Sequence, residues 1–317
     1  MNTRTSPPRY HLGLLGWPIN HSLSPAMHNA ALAAMGLAGR YRLLQLPPHR
    51  QTELPRFLRN LVKDGIHGIN PLDSSTAQTG SPASLEGVPT KYLRETQNFV
   101  GLNITVPYKQ TIVPHLDRLG PSARPLATVN TVCARPDGIL VGHNTDVAGF
   151  ARSLAEAGVA VPDRAVVLGA GGAAAAAAFA LLRQGCGELA LVNRGAERAR
   201  RLADTLRPLF PHANVHPRSA DEAVARRAIR EFPLIVNCTP DAAAFSCAFR
   251  HGQVVCDIAA MRRPTPMLCQ ARAGGAQTLD GLGMLLHQAA LSLALWTGRE
   301  PPLNAMRQVL KEAAAGE

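Results

Sequence analysis

Val167-Leu168-Gly169-Ala170-Gly171-Gly172-Ala173 reads as an apolar strand running into a glycine turn and then an alanine-rich helix. That build sets the pyrophosphate of a dinucleotide on a helix N-terminus, where backbone N–H groups and the helix dipole favour an anion. Gly169, Ala170, Gly171, Gly172 and Ala173 are therefore candidate cofactor contacts. About 20 residues further on, an NAD site places Asp or Glu to hold the ribose 2′-hydroxyl. Here the next strand ends Leu191-Val192-Asn193-Arg194, with Arg198, Arg200 and Arg201 close behind. A guanidinium at that place suits a 2′-phosphate, so the expected cofactor is NADP. One such charge-assisted contact contributes roughly 1.5–3 kcal/mol, a 10- to 100-fold preference.

Working outward, strand and helix signals alternate. Ala165–Leu168, Leu189–Asn193, Leu234–Asn237 and Val254–Ile258 read as strands with helices between them. Such alternation argues for an α/β fold with a parallel sheet covered on both faces. Upstream, His11–Leu15, Tyr41–Leu46 and Gly101–Val106 read as strands. Ser24-Pro25 reads as the N-cap and first residue of a helix that Gly36 stops. Glu53–Asp64 and Lys109–Leu119 read as helices, and Val129–Ala134 with Ile139–Gly142 as a hairpin. A helix over 146–157 leads into the cofactor half, and Met284–Thr297 and Leu303–Ala315 close the chain. Residues 69–98, rich in Ser, Thr, Gly and Pro, read as a long surface excursion.

Composition bounds the rest. At 317 residues and 46% hydrophobic, the chain can bury a full core, and two domains are expected. Its first residues are polar, and no apolar run reaches the roughly 20 residues a bilayer needs. A soluble cytoplasmic protein without membrane partners is expected. The six cysteines include no C-x-x-C pair, which favours free thiols and argues against a structural metal. The net charge of +11 raises nucleic acid as a partner. Thinly spread basic residues, 4% aromatics and no recognition motif argue against it. An anionic small molecule explains a basic site equally well.

Four segments of the front half are dense in proton-handling side chains. Gly16-Trp17-Pro18-Ile19-Asn20-His21-Ser22-Leu23-Ser24-Pro25 places the Ser22 and Ser24 hydroxyls beside a helix N-terminus, a cradle for a carboxylate. Taken alone, Ser24 reads first as a simple cap. In Asn103-Ile104-Thr105-Val106-Pro107-Tyr108-Lys109, period-two spacing puts Asn103 and Thr105 on one face of a strand end, with Lys109 just beyond. Val129-Asn130-Thr131 and Gly142-His143-Asn144-Thr145-Asp146 complete the set, although either alone is also ordinary turn chemistry.

In combination these segments resemble the shikimate dehydrogenase family. The resemblance is carried by H-S-x-S-P, N-x-T-x-P-x-K, V-N-T, N-T-D-x-x-G, the G-A-G-G-A turn, N-R-x-x-x-R and Gly281-Leu282-Gly283-Met284-Leu285-Leu286-His287-Gln288-Ala289. They occur in family order and span nearly the whole chain apart from 69–98. The resemblance implies NADP-dependent interconversion of 3-dehydroshikimate and shikimate in aromatic amino-acid biosynthesis. It implies Lys109 and Asp146 as the catalytic pair. Ser22 and Ser24 would hold the substrate carboxylate, and Asn103, Thr105, Asn130 and Gln288 its ring hydroxyls. Asn193, Arg194, Arg198, Thr239, Ile258 and Gly281 join the glycine turn as implied cofactor contacts. The implied architecture is a substrate domain over residues 1–146, completed by helices in 285–317, and a Rossmann-type doubly wound NADP domain over 147–284. A homodimer is the assembly left open.

Three places depart from the family pattern. Gly195 stands where the nucleotide signature usually has threonine. Asp241 stands where a glycine usually follows Asn237-Cys238-Thr239-Pro240, and Ala260 where the family has an active-site tyrosine. A quinate or dual quinate/shikimate dehydrogenase is the near alternative, and a non-catalytic ligand sensor on the same scaffold is the alternative of another class. Retention of Lys109 and Asp146 argues against the sensor. Two serines and an arginine-rich nucleotide site favour shikimate over quinate.

Overall fold

The computed structural model describes residues 9–64, 98–135, 137–219, 221–239, 248–258 and 264–315. The chain divides into two compact units, one running to Asn144 and including Ser292–Val309, the other comprising Thr145–Leu291 and the chain from Leu310. Contacts thus draw the first division two residues before, and the second seven residues after, the boundaries at 146 and 284 read from the sequence.

The first unit is built on β1 (Arg9–Gly16), α1 (Ser24–Ala34), β2 (Gly39–Gln45), α2 (Leu54–Asp64), β3 (Asn98–Ile104), the single turn α3 (Tyr108–Thr111), β4 (Arg118–Leu119), β5 (Thr131–Ala134) and β6 (Leu140–His143). Its sheet has the order β2-β1-β3-β5-β6-β4. The central β1 pairs in parallel with β2 and β3, so the carboxyl ends of all three share one edge. β5 runs antiparallel to β3 and to β6. Leu15, Leu44, Leu102, Ile104, Tyr108 and Val132 belong to the core beneath this edge.

Two local expectations need correction here. α1 begins at Ser24 itself, not after it, and Ser22 Oγ accepts from the Ser24 backbone N–H at 3.3 Å. Ser22 is therefore the residue whose hydroxyl closes the turn. The helix expected over Lys109–Leu119 is one turn, followed by a 3-10 turn at Val113–His115 and the short strand β4. Pro114 accounts for this, because it has no N–H to donate to Gln110 O and its ring crowds that carbonyl, so the α-helix cannot continue. Beyond it, Asp117 turns the chain into the sheet: its carboxylate accepts from Leu140 N at 2.7 Å, and its own N–H donates to Leu140 O.

The second unit contains α4 (Asp146–Glu156), β7 (Arg164–Leu168), α5 (Gly172–Arg183), β8 (Glu188–Asn193), α6 (Ala196–Leu206), β9 (Asn214–Ser219), α7 (Glu222–Glu231), β10 (Leu234–Asn237), β11 (Val254–Asp257), α8 (Pro266–Ala273) and β12 (Gln277–Leu279). α9 (Leu282–Thr297) belongs to it as far as Leu291. α10 (Leu303–Ala315) ends the described chain. The sheet order is β12-β11-β10-β7-β8-β9, and every pair is parallel. This is the doubly wound order, in which the strand sequence reverses between β7 and β10. β7 is buried from Ala165 to Leu168, as a central strand covered on both faces requires. β9 and β12 were not legible. β9 carries the polar run His216-Pro217-Arg218 at the edge, and β12 is three residues long.

Candidate active site

In the first unit, the exits of β1 and β3 are tied together. Thr105 N donates to Leu15 O at 2.9 Å, and Trp17 N donates to Val106 O at 2.9 Å. A Cβ on Gly16 would run into the Thr105 methyl group, so only glycine lets the H-S-x-S-P segment leave the sheet there. Its path brings Ser22, half-buried, and Ser24, buried, to the start of α1. This is the same sheet edge at which Asn103 lies near the end of β3 and Thr105 follows it.

Lys109 is the second residue of α3 and is half-buried. Its turn is anchored on both sides. Tyr108 N donates to Thr105 O at 2.8 Å, and Tyr108 Oη donates to Leu46 O at 2.6 Å. Lys109 O accepts from Val129 N at 2.8 Å, which sets the lysine beside the chain entering β5. There Asn130 O accepts from Ile104 N at 2.8 Å, and Asn130 N donates to His143 O at 3.1 Å. Asn144 secures the same turn, with Nδ2 donating to Thr128 O and Oγ1 at 3.1 and 2.9 Å.

Asn103 is largely spent on protein contacts. Its Nδ2 faces Asn130 O at 3.1 Å, Thr131 Oγ1 at 3.2 Å and Ser292 Oγ at 3.0 Å, more acceptors than its two hydrogens can serve. Its Oδ1 accepts from Tyr41 Oη at 2.9 Å. Ser292 and Tyr41, absent from the sequence-based set, are thus part of this polar centre. Ser292 follows Gln288 by one helical turn, a spacing that could have pointed to it. Burial raises the Tyr41 hydroxyl well above its ordinary pKa, so it stays a donor. His28 stacks on the Tyr41 ring with centroids 4.3 Å apart.

The second unit holds Asp146, Gln288 and the expected nucleotide contacts. Asp146 opens α4, buried, in the first turn where the helix dipole favours a carboxylate. Gly169 leaves β7 with φ 115, a conformation that excludes most side chains. A Cβ there would stand 3.3 Å from Cys238 O, which places the turn at the reversal point between β7 and β10. Gly171 caps α5, and a Cβ on it would meet nothing within 4 Å. The N-terminus of that 12-residue helix is consequently open to an anion. At the end of β8, Asn193 Nδ2 donates to Gly195 O at 2.9 Å. Arg200 and Arg201 are engaged by Glu197 at 3.1 and 3.2 Å, whereas Arg194 and Arg198 are exposed and have no ion pair among the described residues. This donor set fits an adenosine 2′-phosphate.

Thr239 and Ile258 follow β10 and β11. Asn237 Oδ1 accepts from Thr239 N and Oγ1 at 3.1 and 2.8 Å, and Ile258 N donates to Asn237 O. The buried Asp257 accepts from Asn237 Nδ2 at 3.1 Å and Thr265 Oγ1 at 2.7 Å. Burial, with Asp257 adding to it, pushes the Cys238 thiol up. Gly281 O accepts from Leu285 N at the start of α9, which carries Gln288. Ala260, Asp241 and most of the 69–98 excursion lie outside the described residues.

A doubly wound sheet with an open glycine turn at its reversal point, joined to a second α/β unit with a polar edge, defines a two-domain dinucleotide-binding protein. Residues 14–71 and 81–132 match the shikimate dehydrogenase substrate binding domain, residues 153–240 match shikimate/quinate 5-dehydrogenase, and residues 281–311 match the shikimate 5′-dehydrogenase C-terminal domain. Shikimate dehydrogenase (NADP(+)) of Moorella thermoacetica is 39% identical, over 95% of this chain and 92% of its own. Among solved structures, quinate dehydrogenase from Corynebacterium glutamicum in complex with NAD has a TM-score of 0.76 at 31% identity, covering 96% of this chain and 99% of that one. Shikimate 5-dehydrogenase of Thermus thermophilus in complex with NADP(H) and shikimate has a TM-score of 0.69 at 31% identity, with coverage of 96% and 99%. The chain belongs to the shikimate dehydrogenase family.

Proposed function

We propose that the protein catalyses the reversible, NADP-dependent reduction of 3-dehydroshikimate to shikimate. The observation that carries this reading is the sheet edge of the first unit, where Ser22, Ser24, Thr105, Asn130 and the anchored turn of Lys109 meet in a chain 39% identical to an NADP(+) shikimate dehydrogenase. The Ser22 and Ser24 hydroxyls and the N–H groups opening α1 bind the substrate carboxylate. Asn103, Thr105, Asn130 and Gln288 contact ring hydroxyls. Arg194 and Arg198 hold the 2′-phosphate, and the open end of α5 holds the pyrophosphate. When bound, the nicotinamide cofactor would supply a hydride to the ring carbonyl carbon. The carbonyl oxygen then gains negative charge, which the Lys109 ammonium neutralises and protonates. Asp146 serves as the acidic partner that orients Lys109. In the oxidative direction the hydroxyl proton returns to the Lys109 amine.

No helix of the described residues is long and apolar enough to cross a membrane. The proposed location is the cytoplasm, where the thiols stay reduced, and the proposed assembly is a homodimer. The deciding experiment measures initial rates with shikimate and with quinate, each with NADP+ and NAD+. Shikimate with NADP+ gives the highest kcat/KM. A clear preference for quinate or for NAD+ would reassign the enzyme within its family, and no turnover with any pair would favour the ligand-sensor reading.

A further inference from the structure

The N-T-D-x-x-G segment ends at Gly149, one helical turn beyond Asp146 and on the same face of α4. The three atoms nearest to a Cβ built there all belong to one residue of another helix: Gln288 Cβ at 2.7 Å, N at 2.8 Å and Cα at 3.0 Å. All three are backbone atoms or fixed to the backbone, so no change of rotamer could relieve the collision. Two further contacts pin the same crossing of α4 and α9. A Cβ on Gly283 would lie 3.2 Å from Ser153 Cβ, and His287 Nε2 is 2.6 Å from Glu156 Oε2. Gln288 Nε2 donates to Leu285 O at 2.9 Å, so the side chain runs back along its own helix and moves with it.

We propose that Gly149 is a positioning residue: its bare backbone fixes how closely α9 approaches α4, and so where Gln288 stands to meet the substrate. The inference rests on the reading above, in which Gln288 contacts a ring hydroxyl. Any side chain at 149 would push α9 outward by about 1 Å to restore van der Waals separation. A displacement of that size at a substrate contact costs on the order of 100-fold.

The test is a double-mutant cycle on the full-length protein. Gly149→Ala should lower kcat/KM for shikimate by roughly 10- to 100-fold, while KM for NADP+ stays within about threefold. In a Gln288→Ala background the same substitution should cost less than about threefold, because the contact it disturbs is already gone. Equal losses in both backgrounds, a matching rise in KM for NADP+, or near-parental kcat/KM in folded Gly149→Ala would each overturn the proposal. Should Gly149→Ala fail to fold, Gly283→Ala applies a milder push at the same crossing. Its expected loss is roughly two- to fivefold, again abolished by Gln288→Ala, and no loss or a loss that persists in that background defeats the idea. A parental enzyme inactive with shikimate and NADP+ defeats both the functional reading and this one. An active parent with additive losses defeats this one alone.

Discussion

His28 is fully buried, and neither ring nitrogen has a hydrogen-bond partner among the described residues. Burial draws its pKa down from 6.5 to about 3, with neighbouring Asn103 only partly opposing the shift. Above pH 6.5 the imidazole is neutral in both the folded and unfolded chain, and this group contributes no pH dependence. Below that, the unfolded chain takes up a proton that the native site refuses. Stability therefore falls as the pH drops from 6.5 towards about 3, with a slope approaching about 1.4 kcal/mol per pH unit. His28→Phe keeps a ring against Tyr41 and removes the orphaned nitrogens, which makes it neutral or stabilising at pH 7. Urea midpoints at pH 7 and pH 5 should converge in that variant, and an undiminished gap would refute the assignment. Lys109→Ala is the corresponding test of chemistry: kcat falls by about 10²–10⁴-fold with folding intact. Normal turnover in the folded variant would remove Lys109 from the mechanism. At this scale the Ser22–Ser24 contact is readable in the sequence because its two residues are two positions apart. Ser292 stayed hidden because its partners Asn103 and Thr131 are 189 and 161 residues away.

α6 starts at Gly195 without a side-chain cap. The backbone there, φ −88 and ψ 98, suits any residue, and a Cβ would meet only Asn193 Nδ2 at 3.6 Å. Gly195→Thr should thus restore a cap worth a few tenths of a kcal/mol and add a hydroxyl beside Arg194 and Arg198. Steady-state kinetics should show a lower KM for NADP+ with that for shikimate unchanged; a higher KM for NADP+ would mean the 2′-phosphate lies elsewhere. Elements were legible where periodicity and punctuation agreed, as in α1 with its Gly36 stop or the strand–turn–helix at Gly169. The helix expected over Lys109–Leu119 failed because an apolar pattern outweighed Pro114. β9 escaped notice because an edge strand half-open to water needs no apolar run.

For the whole molecule, the sequence carried the parallel sheet of the second unit, since every strand–helix alternation there repeats one crossover rule. It did not reveal the mixed sheet of the first unit, whose order depends on β5 and β6 inserting between β3 and β4. Ligand that binds only the folded chain stabilises it by about 2.7 kcal/mol at 100 times Kd. NADP+ should therefore raise the thermal midpoint by several degrees, and NAD+ at equal concentration by clearly less. Equal shifts would show that Arg194 and Arg198 do not discriminate.

Among the described residues, the four outermost strands of the two sheets share a property with bearing on behaviour at high concentration. β4 has two residues and β12 three, β9 carries Pro217, and β2 places Arg40 and Arg42 at exposed positions. Each offers an incoming copy a broken or charged ladder of amides and carbonyls, which suppresses sheet extension between molecules. The molecule is thereby guarded against fibre-like aggregation at the margins of its sheets.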